Sequence, residues 1–175
     1  EPNLYLRSIG KDIENPDVYS FLVEALDIKL QSREKLKRGI LAVLYGASDD
    51  TAIRILGGNR GTLKKIKSFF CVEETTSKLL AKFKEQGFIF NMYGRPIFSK
   101  KSILNKWIQS SAVDFCSLAF LNLAREKDLN VAYLVHDEMV VDCSPNQFKE
   151  ITHIASIKDP LTNISLPIEV TLLSR

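Results

Sequence analysis

Between residues 131 and 143 two runs of β-branched and apolar side chains, Val131-Ala132-Tyr133-Leu134-Val135 and Met139-Val140-Val141, flank the polar triplet His136-Asp137-Glu138. Runs this short, joined by so brief an interruption, predict adjacent antiparallel strands with the charges at the hairpin tip. Elsewhere the apolar positions recur mostly at helical spacing. Residues 1–10 read as the tail of an element that begins earlier, and Asn15-Pro16-Asp17 opens a short helix through Tyr19, Phe21 and Leu22 to about Ala25 or Leu26. Ser32 is a good N-cap for a helix from Arg33 to about Tyr45, stopped by Gly46. Ser48-Asp49-Asp50 caps another helix to about Leu56, before a flexible turn Gly57-Gly58-Asn59-Arg60-Gly61.

Residues 62–85 follow as helix, in one piece or two, with Leu63, Ile66, Phe69, Phe70, Leu79, Leu80 and Phe83 facing inward and Gly87 at the end. Phe88 to Met92 and Pro96 to Phe98 predict a small hairpin around Tyr93-Gly94-Arg95. The longest helical pattern runs from Lys100 to about Lys127, with Ile103, Trp107, Ile108, Ala112, Phe115, Leu118 and Leu121 on its apolar side. Pro145 opens a helix to about Ser156, and residues 166–173 predict a last strand.

At 175 residues the chain can bury one good core, and its 45% hydrophobic and 26% charged residues are ordinary for a globular protein. No long uncharged apolar run and no signal-peptide pattern points to a membrane or to secretion. Three cysteines, Cys71, Cys116 and Cys143, form no metal-ligand cluster and fit reduced thiols in an intracellular protein. The net charge is only +3, but it is concentrated. Lys29, Arg33, Lys35, Lys37, Arg38, Arg54, Arg60, Lys64, Lys65 and Lys67 face only Glu34, Asp49 and Asp50 between residues 29 and 67, and Arg95, Lys100, Lys101 and Lys106 form a second basic stretch. Such patches suit a polyanion, or are solvated helix faces.

Three constellations carry candidate chemistry. On the 33–45 helix Arg33, Lys37, Leu41 and Tyr45 recur every four residues and share one drifting stripe, so two cations and two apolar side chains lie on the same side. A nucleoside triphosphate lying along the helix would need that order; alternatively Leu41 and Tyr45 pack in the core while the cations are solvated. Asn105 and Gln109 are four apart on one face with Lys101, where planar amides beside a cation can reach bases or sugars, or simply face water. At the hairpin tip Asp137 is placed to hold a hard cation, or the triplet is a polar turn without chemistry.

Taken together, Arg33-x3-Lys37-x3-Leu41-x3-Tyr45-Gly46, Tyr93-Gly94-Arg95, Asn105-x3-Gln109 and Val135-His136-Asp137-Glu138 strongly resemble the family A DNA polymerases, over nearly the whole chain. The resemblance implies that Arg33 and Lys37 hold the triphosphate of an incoming deoxynucleotide, that Tyr45 lies by the sugar and nascent base pair, and that Gly46 and Ser48 lie near the template. Glu1 matches the glutamate that excludes a 2′-hydroxyl, at the end of a first motif whose catalytic aspartate would lie ahead of it. Tyr19, in Asp17-Val18-Tyr19, falls where many relatives have a nucleotide-contacting histidine. Lys101, Asn105 and Gln109 would touch the minor groove of primer-template DNA, Arg95 the strand backbone and His136 the primer end; Asp137 would be a metal ligand and catalytic residue, with Glu138 its acidic neighbour.

The implied reaction is transfer of deoxynucleotides to a primer 3′-hydroxyl with two Mg2+ ions about 4 Å apart. Because one aspartate can hardly hold both ions, the resemblance further implies an upstream polymerase segment, in cis or as a separate chain, without which the 175 residues polymerise little or nothing. Leu41 stands where phenylalanine or tyrosine is usual, Ser110 where glycine is, and Lys101 where arginine is, and lysine lacks arginine's planar fork. The expected fold class is α+β, an antiparallel palm sheet backed by helices with an inserted helical fingers lobe. Palm would cover 1–31 and 86–175 and fingers 32–85, with the 131–143 hairpin and the last strand in one sheet backed by the helix from Lys100. The cationic side of the 33–45 helix would then look across a cleft at Asp137. Two rivals remain: a single-subunit RNA polymerase, disfavoured by Glu1 and Glu138, and a non-catalytic polymerase fragment that only binds DNA.

Overall fold

In a computed structural model, which describes residues 2–11, 18–28, 32–162 and 164–173, most of the chain is helical and the strands pair antiparallel. Glu1 and the helix start at Asn15-Pro16-Asp17 lie outside the described residues. The chain divides into two compact units, residues 1–111 and 112–175.

The first unit opens with α1 (Pro2–Ser8) and α2 (Val18–Ala25). Then come α3 (Arg33–Leu44), α4 (Asp49–Leu56), α5 (Arg60–Phe69) and α6 (Val72–Gln86). Caps set these boundaries as the sequence suggests. The Ser32 side chain accepts from the Lys35 N–H, Ser48 from Thr51, and Gly57 closes α4 in the left-handed region at φ 65°. The turn expected at residues 57–61 is shorter, because the Asn59 side chain accepts from the Thr62 N–H at 3.0 Å and so starts α5 at Arg60, with Gly61 already helical. Residues 62–85 divide at Phe70 and Cys71, the latter at φ 48°. Tyr5, Leu22, Leu36, Ile40, Leu44, Ile66 and Phe70 lie at the centre of one core cluster, each almost fully buried. Leu80, expected inside, points outward and is 42% exposed.

A small hairpin, β1 (Ile89–Phe90) and β2 (Pro96–Ile97), completes the unit and is shorter than the sequence suggested. Asn91 ties its loop: the side-chain oxygen accepts from the N–H groups of Tyr93 and Arg95, both at 2.9 Å, while Gly94 takes φ 80°. The hairpin is laced to α7 (Ile103–Glu126), since the Trp107 indole donates to the Phe90 carbonyl at 3.0 Å and the Met92 N–H donates to the Ser111 hydroxyl at 3.1 Å. α7 starts three residues later than expected. Lys100 and Lys101 precede it, and Ser102 at φ 51° breaks the right-handed backbone before Ile103.

The second unit continues α7 into β3 (Asn130–Val135), β4 (Glu138–Asp142), α8 (Pro145–Thr152), β5 (Ser156–Lys158) and β6 (Ser165–Pro167). β3 and β4 form the expected hairpin, with Asn130 opposite Asp142, Val135 opposite Glu138 and a bulge between Val131 and Tyr133. Its inner face puts Met139 and Val141 against Ala124, Leu129 and Ile151. Leu121, assigned to the apolar side of α7, is 47% exposed. α8 ends at Thr152, not near Ser156, which belongs to β5; Ser144 and Gln147 close its amino end in a reciprocal capping box. The last strand also differs. β6 is three residues long and pairs with β5, not with the 131–143 hairpin, and residues 168–173 form no strand. Pro167 carries no N–H for a ladder, which limits the run to an edge at that point.

Candidate nucleic-acid and nucleotide interface

Helix α3 buries Leu36, Ile40, Val43 and Leu44. At 100° per residue the stripe of Arg33, Lys37, Leu41 and Tyr45 begins in the direction of that buried row, with Arg33 between Ile40 and Leu44, and drifts about 40° further from it at each step. Arg33 and Lys37 are exposed, whereas Leu41 and Tyr45 are half-buried, with Tyr45 resting on the core cluster. The order expected from the sequence, cations at one end and apolar side chains at the other, is therefore present on an accessible face.

Tyr19, from α2, meets the cationic end. The Arg33 guanidinium lies over the Tyr19 ring, 5.3 Å from its centroid, so these two sequence-predicted nucleotide contacts are neighbours. Arg33 is the first residue of α3, at the positive end of the helix dipole, where a cation is disfavoured and an anion favoured. Lys37 has no acidic partner among the described residues. A phosphate group placed there would meet two cations and the positive end of the helix dipole.

Farther along, Tyr45 is the C-cap residue of α3 and its N–H donates to the Leu41 carbonyl at 2.8 Å. Gly46 turns the chain at φ 76°. Ser48 is largely occupied as a cap, accepting from the Thr51 N–H and donating to the Thr51 hydroxyl at 2.9 Å. Part of the basic run at residues 29–67 is also structural: Lys67 pairs with Asp49 at 2.7 Å and Lys65 donates to the Leu26 carbonyl at 2.8 Å. Arg38, Arg54, Arg60 and Lys64 are exposed.

The second group sits where the β1–β2 hairpin meets α7. Arg95 donates to the Ser110 carbonyl at 3.0 Å, and Arg95, Lys106, Gln109 and Ser110 line one open cleft of about 290 Å³ with Pro96 and Ile97. Arg95 and Gln109, assigned from sequence to DNA, are thus brought together. Lys101 is not on the helical face of Asn105 and Gln109 as expected, because the chain leaves helical geometry at Ser102. Asn105 is half-buried, and its side-chain oxygen has no hydrogen-bond partner among the described residues. Sequence reasoning missed Asn91 and Lys106 as site builders. The signal for Asn91 was its place three residues before Gly94; Lys106 had none beyond its charge.

The third group, in the second unit, is the tip of the β3–β4 hairpin. His136 adopts φ 52° and, with Asp137, makes a two-residue turn, while Glu138 already belongs to β4. All three side chains are exposed. A left-handed histidine costs roughly 1 kcal/mol or more, so this turn is held by the strands on either side of it. Asp137 and Glu138 are hard-oxygen donors of the kind Mg2+ prefers. They do not complete a site for two ions, since among the described residues no three acidic, histidine or cysteine side chains come together to hold a metal. Nor is any helix among the described residues long and apolar enough to cross a membrane.

No protein-family model matches the chain. It is 24% identical to a protein described as DNA polymerase I from Lactococcus lactis subsp. lactis (strain IL1403), over 84% of this chain and 20% of that protein. A second DNA polymerase I, from Lactococcus lactis subsp. cremoris (strain MG1363), is 23% identical over the same shares. The chain is thus distantly similar to a region of DNA polymerase I, and spans about a fifth of the length of these relatives.

Proposed function

We propose that the chain is the palm and fingers portion of a template-directed DNA polymerase of family A, acting on primer-template DNA and deoxynucleoside triphosphates. The observation that carries this reading is the α3 stripe: Arg33 over Tyr19, an exposed Lys37, then half-buried Leu41 and Tyr45. The similarity to DNA polymerase I supports it.

In this reading Arg33 and Lys37 hold the triphosphate, with the dipole of α3 adding to their charge, while Leu41 and Tyr45 carry the sugar and base. Arg95 and Gln109 hold the primer-template strand, Lys101 and Asn105 lie nearby on the chain, and His136 approaches the primer end. Asp137 contributes one hard-oxygen ligand. Two Mg2+ ions, when bound, supply activation of the attacking hydroxyl and neutralisation of the leaving oxygen. Among the described residues no third acidic, histidine or cysteine side chain joins Asp137 and Glu138, so in this reading the remaining ligands come from elsewhere.

Triphosphate binding by the 175-residue chain tests the stripe. Hydrogen bonds to charged groups contribute about 1.5–3 kcal/mol, so Lys37→Ala should weaken binding of a deoxynucleoside triphosphate about tenfold or more. Arg38→Ala, at an exposed cation off the stripe, should change it little. Equal affinity of wild type and Lys37→Ala would refute the assignment.

A further inference from the structure

We infer that Phe88, Phe90 and Phe98 form a stacking platform for unpaired bases of a nucleic-acid strand, on the outer face of the β1–β2 hairpin. This deepens the polymerase reading and rests on it, but none of the residues assigned above belongs to the platform. The hairpin has two unlike faces. Ile89 and Ile97, opposite one another in the ladder, turn inward: Ile89 is 2% exposed and Ile97 packs on the core cluster. Their neighbours in sequence turn outward by the strand period of two. Phe90 is accordingly 53% and Phe98 73% exposed. The half-buried Phe88 links them, its ring centroid 5.1 Å from that of Phe90 and 5.8 Å from that of Phe98.

An exposed aromatic cluster marks an interaction surface, and its surroundings select the occupant. From Gln86 to Val113 the chain has no carboxylate, and Lys100, Lys101 and Lys106 in that stretch are exposed. Lys106 Nζ donates to the hydroxyl of Ser99, the residue next to Phe98, at 2.6 Å. A single strand supplies both halves of the match, bases for the ring faces and phosphates for the lysines. Phenylalanine suits this task because every base has a π-face, and the ring brings no hydrogen bond with which to read sequence. The platform is also held in advance. Asn91 ties the hairpin loop and the Trp107 indole donates to the Phe90 carbonyl at 3.0 Å, so binding has little backbone to order.

Binding of the 175-residue chain to three labelled probes of equal length tests this: an oligothymidylate, an abasic strand with the same phosphates, and a blunt duplex. Phe98→Ala and Phe90→Ala should each weaken oligothymidylate binding about tenfold, the effect of losing one stacked base. Binding of the abasic strand and the duplex should stay at the wild-type level, and Phe98→Trp should retain or tighten oligothymidylate binding. Both positions are exposed, so the urea midpoints should not move. Wild-type affinity for oligothymidylate in Phe98→Ala and Phe90→Ala would overturn the platform, as would an equal loss on the abasic strand. Self-association that disappears in Phe98→Ala while oligothymidylate binding persists would overturn it in favour of a protein interface. In each of these cases the triphosphate test of Lys37 is untouched and the polymerase reading stands. A wild-type chain that binds none of the three probes at low salt would overturn both.

Discussion

Replacing Gly39 by alanine sets two physical effects against each other, and the structure decides between them. Gly39 lies inside α3, where alanine is favoured over glycine by about 0.8–1 kcal/mol in an isolated helix. A Cβ at this position would stand 2.2 Å from Leu56 Cδ2 and 2.4 Å from Leu56 Cγ, with the Leu56 backbone Cα at 3.3 Å. Turning the terminal methyls cannot clear a clash at Cγ, so the whole Leu56 side chain must change rotamer inside the core cluster, or α4 must move away from α3. Overpacking of a filled core costs about 1–3 kcal/mol, and a clash at this depth belongs near the upper end. The expected net loss is therefore about 1–2 kcal/mol, a midpoint lowered by roughly 0.5–1 M in urea. Trp107, the chain's single tryptophan, packs edge-on against Tyr5 in the same unit and supplies the fluorescence probe. Leu56→Ala should cost less in the Gly39→Ala background than in wild type, because the new methyl occupies part of the space vacated. A midpoint that rises in Gly39→Ala, as helix propensity alone demands, would refute the close packing of α3 on α4.

Tyr5 offers a pH-dependent counterpart. Its hydroxyl donates to the Phe70 carbonyl at 2.7 Å, and burial pushes its pKa above the ordinary 10.0. The unfolded chain loses this proton first as pH rises, so the stabilising contribution is complete below about pH 10 and is lost as pH rises through the folded value. Tyr5→Phe should cost about 1–2 kcal/mol at neutral pH and flatten the alkaline part of the stability profile; an unchanged alkaline profile would contradict the buried hydroxyl. Ile40→Ala, at a fully buried position of α3, should cost about 2–5 kcal/mol in the same urea experiment, whereas Arg38→Ala on the exposed side should stay within about 0.5 kcal/mol. Similar values for the two would mean that the α3 faces are misassigned.

Local features of the chain were legible where local chemistry sets them. Ser32, Ser48 and Gly57 bound α3 and α4 because a cap needs only the residues beside it, and the alternation around His136-Asp137-Glu138 was enough for the β3–β4 hairpin, whose partner strand is next in sequence. Asn59 carried the same kind of signal, outvoted by the glycines around it. Longer-range relations were not legible. The apolar run at 166–173 has the composition of a strand but does not name its partner, and β6 takes β5 instead of the hairpin. Leu121 could not be told from its neighbours because α7 is apolar on every side along much of its length. On the site, the α3 stripe followed from spacing alone, and Arg95 and Gln109 from the resemblance. Lys106 resembled any surface lysine until the β1–β2 hairpin, folded back by Asn91 and Trp107, placed Arg95 across from it.

The most direct trial of the central claim is primer extension by the chain supplied with a polymerase segment that carries the first palm motif, in cis or as a separate chain, with primer-template retention measured alongside. The account predicts that the wild type extends a primer with deoxynucleotides, and that Asp137→Ala abolishes extension while retaining DNA. Extension at the wild-type rate by Asp137→Ala, or a wild-type polypeptide that binds DNA and adds no nucleotide, would contradict it.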